Sequence, residues 1–174
     1  MPSRKNIILI GFMGAGKGSV AREVIKHSDY IAIDTDDIIE SMENKSIKKI
    51  FADSGENYFR ELEKKVSMWL ENSVKNTLVS TGGGFYKQKN LKKIGVVVLL
   101  DSPFDKILQR INSHPNASRK LKKRPLFSDL KKAEELYNER LPEYMSLADI
   151  VIDVTDKSAV DCAKELLKKV KKHA

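Results

Sequence analysis

Cysteine is almost absent from this sequence, which excludes proteins that are stabilised by internal disulfides. Cys162 is the one cysteine in 174 residues, so an internal disulfide framework cannot form. It lies in a helix-like stretch, where we expect a small core residue rather than a nucleophile. The three histidines, His27, His114 and His173, are scattered and do not have the spacing of metal ligands.

Long apolar segments are also missing. The longest runs, such as residues 95–100, have the length of a strand and are far shorter than a membrane span. The N-terminus leads into a strand-like run without an apolar targeting segment. We therefore expect a cytoplasmic protein with no membrane partner. At 174 residues the chain is long enough for one domain, and residues 1–174 are predicted to form it.

The charge of the chain is unbalanced, because 32 basic residues face 24 acidic ones and give a net charge of +8. Such a protein either binds nucleic acid or holds small polyanions. No aromatic residues interleave with the basic ones, which argues against a nucleic-acid partner. Nothing in the sequence suggests an exposed apolar interface, so we expect a monomer.

Apolar strands and helices alternate along the chain. Strands are predicted over residues 6–10, 30–33, 77–80, 96–100 and 150–154. Helices are predicted over residues 17–26, 37–43, 46–52, 56–73, 103–111, 131–146 and 158–172. This alternation is typical of an α/β protein in which helices cover both faces of a parallel sheet. Residues 114–127 are polar and basic and show no apolar periodicity.

A phosphate-binding loop is the strongest motif. Residues 11–17 read GFMGAGK, which is the G-x-x-x-x-G-K pattern between a strand and a helix. Its glycines let backbone N–H groups point at phosphate oxygens, and the helix adds the positive end of its dipole. Lys17 then reaches the β- and γ-phosphates of a nucleotide. The predicted nucleotide-binding residues in this region are Gly14, Ala15, Gly16, Lys17, Gly18 and Ser19.

The loop departs from its pattern at one position. The residue after the lysine is ordinarily Ser or Thr, whose hydroxyl binds Mg²⁺, but here it is Gly18 and the hydroxyl follows at Ser19. One residue along a helix rotates a side chain by about 100°. Ser19 is therefore no simple replacement, and we expect one direct metal ligand to be missing.

Acidic residues follow the second predicted strand, at Asp34, Asp36 and Asp37. Ligands of open parallel sheets bind beyond the carboxyl ends of the strands. One carboxylate there can hold Mg²⁺ through water, and another can accept a hydroxyl proton. The same residues also suit a helix N-terminus. Both uses can coexist, with Asp37 capping the helix while Asp34 and Asp36 face the cleft.

Six motifs, in order over nearly the whole chain, resemble those of the shikimate kinase family. They are residues 11–17, residues 34–36 (DTD), Gly55-Glu56 followed by Phe59, Arg60 and Glu63, residues 81–84 (TGGG), residues 124–126 (RPL), and Arg140 followed by Tyr144. The resemblance implies a P-loop three-layer α/β/α fold with a lid and five parallel strands in the order 2-3-1-4-5. It also implies transfer of the γ-phosphate of ATP to the 3-hydroxyl of shikimate, in the biosynthesis of chorismate and aromatic amino acids.

On the substrate side, the resemblance implies helices over residues 37–63 that bind shikimate. The implied substrate-binding residues are Asp36, Arg60, Gly82, Gly83, Gly84 and Arg140. Arginine suits the shikimate carboxylate because its planar fork matches a carboxylate. Glu63 lies one helical turn from Arg60 and can hold it in position. Without the resemblance, a surface ion pair of Arg60 with Glu56 or Glu63 and a flexible glycine turn would be the ordinary interpretations.

On the nucleotide side, the resemblance implies a lid over residues 113–127. The implied catalytic residues are Asp36, Lys17 and Arg124. Asp34 would act on Mg²⁺ through water, Arg110 would lie near adenine, and Lys157 would line its other side. The expected cofactor is Mg²⁺, with ATP as the co-substrate.

Three functions remain open at this point. The chain is an active shikimate kinase, a related kinase for gluconate or a nucleotide, or a binding homologue with weakened catalysis. The arginines, Asp36 and the triple glycine favour the first over the second. Gly18 is the only evidence for the third, since Asp34, Lys17 and Arg124 are all retained.

Overall fold

The computed structural model describes residues 5–122 and 125–173. The strands are β1 (Asn6–Ile10), β2 (Ile31–Asp34), β3 (Thr77–Ser80), β4 (Gly95–Asp101) and β5 (Ile150–Asp153). The α-helices are α1 (Lys17–Lys26), α2 (Thr35–Glu43), α3 (Ile47–Ser73), α4 (Leu91–Ile94), α5 (Phe104–Asn112), α6 (Ala117–Lys122), α7 (Leu130–Leu147) and α8 (Ala159–His173). Two short 3₁₀ helices span Phe85–Lys87 and Pro125–Ser128.

The five strands form one parallel sheet in the order β2-β3-β1-β4-β5. The central strand is β1, whose Ile8 lies beside Val79 of β3 and Val97 of β4. The central residues of β1, β3 and β4 are apolar, in keeping with the burial of both faces of these strands. The predicted strand order is confirmed, and it brings the carboxyl ends of β1, β2 and β3 to one edge of the sheet.

Successive residues of β1 build two separate cores on opposite faces of the sheet. Ile8 and Ile10 pack with residues of α2, α3, α5 and α7, whereas Ile7 and Leu9 pack with residues of α1 and α8. The fold is therefore the predicted three-layer α/β/α arrangement. Cys162 of α8 lies in the second core at 1% exposure, as expected for a small core residue.

Several element boundaries differ from the prediction by one or two residues, and the start of α2 differs most. β2 runs through Asp34, so α2 begins at Thr35 and not at residue 37. The two helices predicted over residues 46–52 and 56–73 are confirmed as the two parts of α3, which are separated by a non-helical residue, Gly55, with φ of 79° and ψ of 175°. Helical spacing in this stretch predicts a core stripe that includes Val66, Trp69 and Leu70, but Trp69 is 46% exposed, so its predicted burial is wrong. Its neighbours Val66 and Leu70 are buried and carry the stripe instead.

The polar segment over residues 114–127 contains short helical elements, α6 and the second 3₁₀ helix, that the sequence did not predict. The short α4 and the first 3₁₀ helix were not predicted either. Within the described residues, no helix combines the length and the apolar character that crossing a membrane requires.

Candidate active site

The phosphate-binding loop joins β1 to α1 at the carboxyl edge of the sheet. Gly16 caps α1 in the left-handed region, with φ of 95°, a conformation that favours glycine. The amine of Lys17 folds over this loop, and its Nζ donates to the carbonyl oxygens of Gly11 at 2.6 Å and Phe12 at 3.1 Å. The loop and the first turn of α1 thus form the cradle that the motif predicts.

The first turn of α1 carries the position where the motif departs from its pattern. Gly18 is partly buried and offers no side-chain oxygen, whereas Ser19 is exposed. The hydroxyl of Ser19 accepts a hydrogen bond of 3.3 Å from Nη2 of Arg22. The hydroxyl that follows Gly18 is therefore already engaged with an arginine of the same helix.

Asp34 caps α2. Its Oδ1 accepts hydrogen bonds from the backbone N–H groups of Asp36 at 2.9 Å and Asp37 at 3.4 Å. The expectation that Asp37 caps the helix is wrong, because β2 continues to Asp34 and leaves this residue extended, the conformation that an N-cap requires. Asp36 then falls in the first turn of α2, beyond the end of β2.

Asp36 is the carboxyl of the site whose pKa lies furthest from its ordinary value. Its Oδ1 is buried and, among the described residues, finds no hydrogen-bond partner. Burial, and then the negative charges of Asp34 and Glu63, raise its pKa from 3.8 to about 7, and Lys17 opposes the rise. A carboxyl with a pKa near neutrality can accept a proton from a hydroxyl under physiological conditions.

The glycines after β3 lie against three predicted site residues. A Cβ placed at Gly82 would lie 2.7 Å from Oδ1 of Asp36, and one at Gly84 would lie 2.5 Å from Nη1 of Arg60. A Cβ at Gly83 would lie 2.9 Å from Nη1 of Arg140. A side chain at any of these three positions would therefore have to push aside the end of a charged side chain.

Hydrogen bonds hold this glycine segment in place. The N–H of Gly82 donates to Oγ1 of Thr35 at 3.1 Å, and the hydroxyl of Tyr144 donates to the carbonyl oxygen of Gly83 at 2.7 Å. Thr35 and Tyr144 are both almost completely buried. Neither received a role from the sequence. Both belong to motifs of the family resemblance, Thr35 between Asp34 and Asp36 and Tyr144 after Arg140, and these motifs could have signalled them.

Arg60 is held by two carboxylates on α3. Nη1 lies 2.6 Å from Oε2 of Glu63, and Nη2 lies 3.1 Å from Oε1 of Glu56. The Glu63 side chain is only 1% exposed, whereas that of Glu56 is 63% exposed. Burial raises the pKa of Glu63 even though Arg60 lowers it. The predicted ion pair exists, and it fixes the guanidinium against the glycine segment.

Arg140 lies beside two tyrosines, Tyr86 and Tyr144. Its guanidinium carbon lies 5.9 Å from the centre of the Tyr86 ring, and that ring meets Tyr144 edge to face. Burial raises the pKa of Tyr144 to about 12, although Arg140 lowers it, so the phenol keeps its proton. The structure thus places Arg60 and Arg140 beside adjacent glycines, where their donors can act on one small carboxylate.

The predicted adenine-side residues lie at different places. Nη1 of Arg110 donates to the carbonyl oxygen of Ala15 at 2.9 Å and Nη2 to that of Val154 at 2.6 Å, which ties the phosphate loop to the end of β5. The amine of Lys157 pairs with Glu165 of α8 at 2.8 Å. Arg124 lies outside the described residues. Within those residues, no group of three or more His, Cys, Asp or Glu side chains is placed to hold a metal ion.

Comparison with known proteins gives consistent results. The shikimate kinase family model matches residues 13–171. A shikimate kinase of Helicobacter hepaticus is 40% identical over 163 residues, which cover 94% of each chain. The structure of a shikimate kinase from Acinetobacter baumannii in complex with shikimate is similar, with a TM-score of 0.85 and 32% identity, over 98% of this chain and 94% of the other.

A gluconokinase from Sinorhizobium meliloti is also similar, with a TM-score of 0.59 and 15% identity, over 98% of this chain and 93% of the other. At that identity, the likeness concerns the fold alone. The family model and the relatives with higher identity span most of the chain and agree with one another. This chain therefore belongs to the shikimate kinase family.

Proposed function

We propose that this chain transfers the γ-phosphate of ATP to the 3-hydroxyl of shikimate, giving shikimate 3-phosphate and ADP, as a step toward chorismate and aromatic amino acids. One observation carries the proposal. The three adjacent glycines, Gly82, Gly83 and Gly84, touch one carboxyl and two guanidinium groups at the carboxyl edge of the sheet. This set matches a small acceptor that carries a carboxylate and hydroxyls.

Asp36 is proposed to bind and activate the acceptor hydroxyl. The 3-oxygen attacks the γ-phosphorus, the bond between the γ-phosphorus and the β,γ-bridging oxygen breaks, and ADP leaves. The hydroxyl proton passes to the Asp36 carboxylate. The buried Oδ1 without a partner and the raised pKa support this role.

Arg60 and Arg140 are proposed to bind the shikimate carboxylate. Arg60 belongs to the region of residues 37–63 that we expect to bind shikimate. Glu63 orients Arg60 through a buried ion pair, and Tyr86 orients Arg140. Fixed guanidinium groups place the acceptor without an entropic cost at the moment of reaction.

Lys17 and Arg124 are proposed to stabilise the charge on the transferred phosphoryl group. Arg124 belongs to residues 113–127, which we propose as a lid that excludes water when it closes. The loop residues Gly14, Ala15, Gly16, Gly18 and Ser19 would bind the phosphates through their N–H groups. Arg110 and Lys157 are proposed to flank adenine.

Mg²⁺ is proposed as the metal of the reaction, held by Asp34 through water. The donors in the site fit this mode, because Gly18 supplies no hydroxyl and one oxygen of Asp34 already caps α2. Mg²⁺ often keeps several waters and binds one or two carboxylates together with substrate phosphates. When bound, it neutralises charge on the β- and γ-phosphates.

We further propose a single domain over residues 1–174 that acts as a cytoplasmic monomer without nucleic-acid or membrane partners. Light scattering coupled to gel filtration tests the monomer, since a dimer would have twice the mass of 19.7 kDa. A stable dimer would require an interface that the sequence did not indicate.

Two alternatives are less well supported. Paired arginines would also suit the carboxylate of gluconate or the phosphate of a nucleotide, but the gluconokinase likeness extends to the fold alone, whereas the family model and the relatives with higher identity are shikimate kinases. A homologue with weakened catalysis rests on Gly18, while Lys17, Asp34 and Asp36 all lie at the expected edge of the sheet.

A substrate panel tests the proposal. ADP release is measured with shikimate, gluconate and a nucleoside monophosphate, and ³¹P NMR identifies any new phosphate ester. We expect turnover with shikimate alone. Turnover with gluconate but not shikimate would refute the proposal, and ATP binding without turnover on any acceptor would favour the weakened homologue.

A further inference from the structure

Arg22 reaches back toward the position where the phosphate loop lacks its hydroxyl. Gly18 and Arg22 are one turn apart on α1, and helical side chains lean toward the N-terminus. A Cβ placed at Gly18 would lie 3.6 Å from Nη1 of Arg22, and Nη2 donates to Ser19 at 3.3 Å. The guanidinium therefore lies beside the first turn of α1.

The guanidinium of Arg22 is solvent-exposed and lies close to positive partial charge. The N-terminus of a helix carries partial positive charge, and the first turn of α1 contains no acidic residue. Glu23, the acidic residue of this helix, pairs with Lys26 at 2.7 Å. Among the described residues, no carboxylate lies within 4.0 Å of a nitrogen of Arg22. The fold thus holds a guanidinium beside a helix N-terminus without a compensating anion.

Nucleotide phosphates would supply that anion. In a phosphate loop, a hydroxyl at position 18 would help to hold the Mg²⁺ of the nucleotide, so this position would lie close to the nucleotide phosphates. Because Gly18 has no side chain, the space beside it is open to the guanidinium. Arginine has five N–H donors, and the bond to Ser19 uses only part of them.

We propose that Arg22 is a ligand of the nucleotide phosphates, supplying positive charge where the metal's hydroxyl ligand is missing. The inference rests on the proposed function, because it assumes that the loop binds ATP and ADP. The contact of Arg22 with the phosphates makes nucleotide binding in this chain less dependent on Mg²⁺ than it would be with a serine at position 18. Arg22 thereby becomes a further binding residue outside the usual loop motif.

Calorimetric titration with ADP, in EDTA and then in Mg²⁺, tests the inference without relying on turnover. The variant is Arg22→Gln, which keeps a long polar side chain and removes the charge. The matched control is Lys26→Gln, one turn further along the exposed side of α1. We expect Arg22→Gln to weaken metal-free ADP binding by about tenfold, the scale of one charge-assisted hydrogen bond. Lys26→Gln should weaken it by less than about twofold.

The effect should be smaller in Mg²⁺, about threefold, because the metal then neutralises part of the phosphate charge. Equal affinities of the two variants for metal-free ADP would overturn the role of Arg22. If Arg22→Gln weakened ADP binding by the same factor with and without Mg²⁺, the proposal that Arg22 compensates for the missing metal ligand would be overturned. A wild-type chain that binds no ADP in either buffer would instead refute the proposed function itself.

Discussion

The proposed shikimate side of the site is built from buried groups that bond to one another, whereas the nucleotide side is built around an exposed helix end. Glu63 is 1% exposed and holds Arg60, and the glycine segment is fixed by Thr35 and Tyr144. On the other side, Ser19 and Arg22 are exposed and bond to each other. Close packing makes the first side intolerant of change, while the second can accept an altered residue such as Gly18.

The largest expected effect comes from Asp36, where the two sides meet. Asp36→Asn keeps the shape and removes the proton acceptor, so kcat should fall by about 10³-fold. The dissociation constant for ATP should stay within about threefold. Initial rates and calorimetric titration with ATP measure the two quantities. If ATP affinity fell as far as kcat, Asp36 would belong to the nucleotide side.

A smaller effect is expected in the pH dependence of stability. The folded chain binds the Asp36 proton more tightly than the unfolded chain, because the pKa rises from 3.8 to about 7. The tighter proton binding stabilises the folded chain at low pH, and this stabilisation is lost as pH rises from about 4 to about 7. At pH 8, Asp36→Asn should therefore be more stable than the wild type by about 2 kcal/mol, or about 30-fold in the folding equilibrium.

Urea unfolding of both proteins at pH 8 and pH 5 measures that difference, which should shrink at the lower pH because the wild type regains its proton. A constant difference at both pH values would mean that burial does not shift the titration of Asp36.

Two carboxylates on α3 offer a matched pair. Glu63→Gln removes the buried partner of Arg60, and the KM for shikimate should rise by about tenfold because the guanidinium loses its fixed position. Glu56→Gln removes the exposed partner and should change KM by less than about twofold. The KM for ATP should not change in either variant. If the two substitutions raised the KM for shikimate by a similar factor, the burial of Glu63 would not be what fixes Arg60 in position.

The smallest effect is expected on the nucleotide side. Gly18→Ser restores the hydroxyl, and the Mg²⁺ concentration for half-maximal rate should fall by about threefold. Rates measured across a Mg²⁺ titration at saturating ATP provide the check. An unchanged Mg²⁺ requirement would mean that water or another group already fills the ligand position.

The strands and the phosphate loop could be predicted because they depend on local signals, whereas the order of the strands followed only from the family resemblance. Continuous apolar runs identify buried parallel strands, and the glycine spacing before Lys17 identifies the loop. The N-cap of α2 could not be assigned reliably, because it depends on where β2 ends. Asp34, Asp36 and Asp37 all suit a cap, and a shift of one residue in the strand decides among them.

The contacts between site residues that are distant in the chain could not be predicted from the sequence. The sequence indicated that Gly82, Gly83 and Gly84 would approach a ligand, but not that each of them touches a different charged side chain. Those contacts depend on the packing of α2, α3 and α7 against the end of β3. The reach of Arg22 likewise depends on a rotamer, which no sequence pattern specifies.

The single cysteine has a practical consequence for following the motions of this enzyme. Cys162 is 1% exposed, and burial raises the pKa of its thiol, so both access and ionisation protect it from reagents. A thiol reagent can therefore react only when α8 separates from the sheet. The chain carries a native reporter of that opening, and the labelling rate, with and without ATP, would measure how ligand binding stabilises the core beneath the phosphate loop.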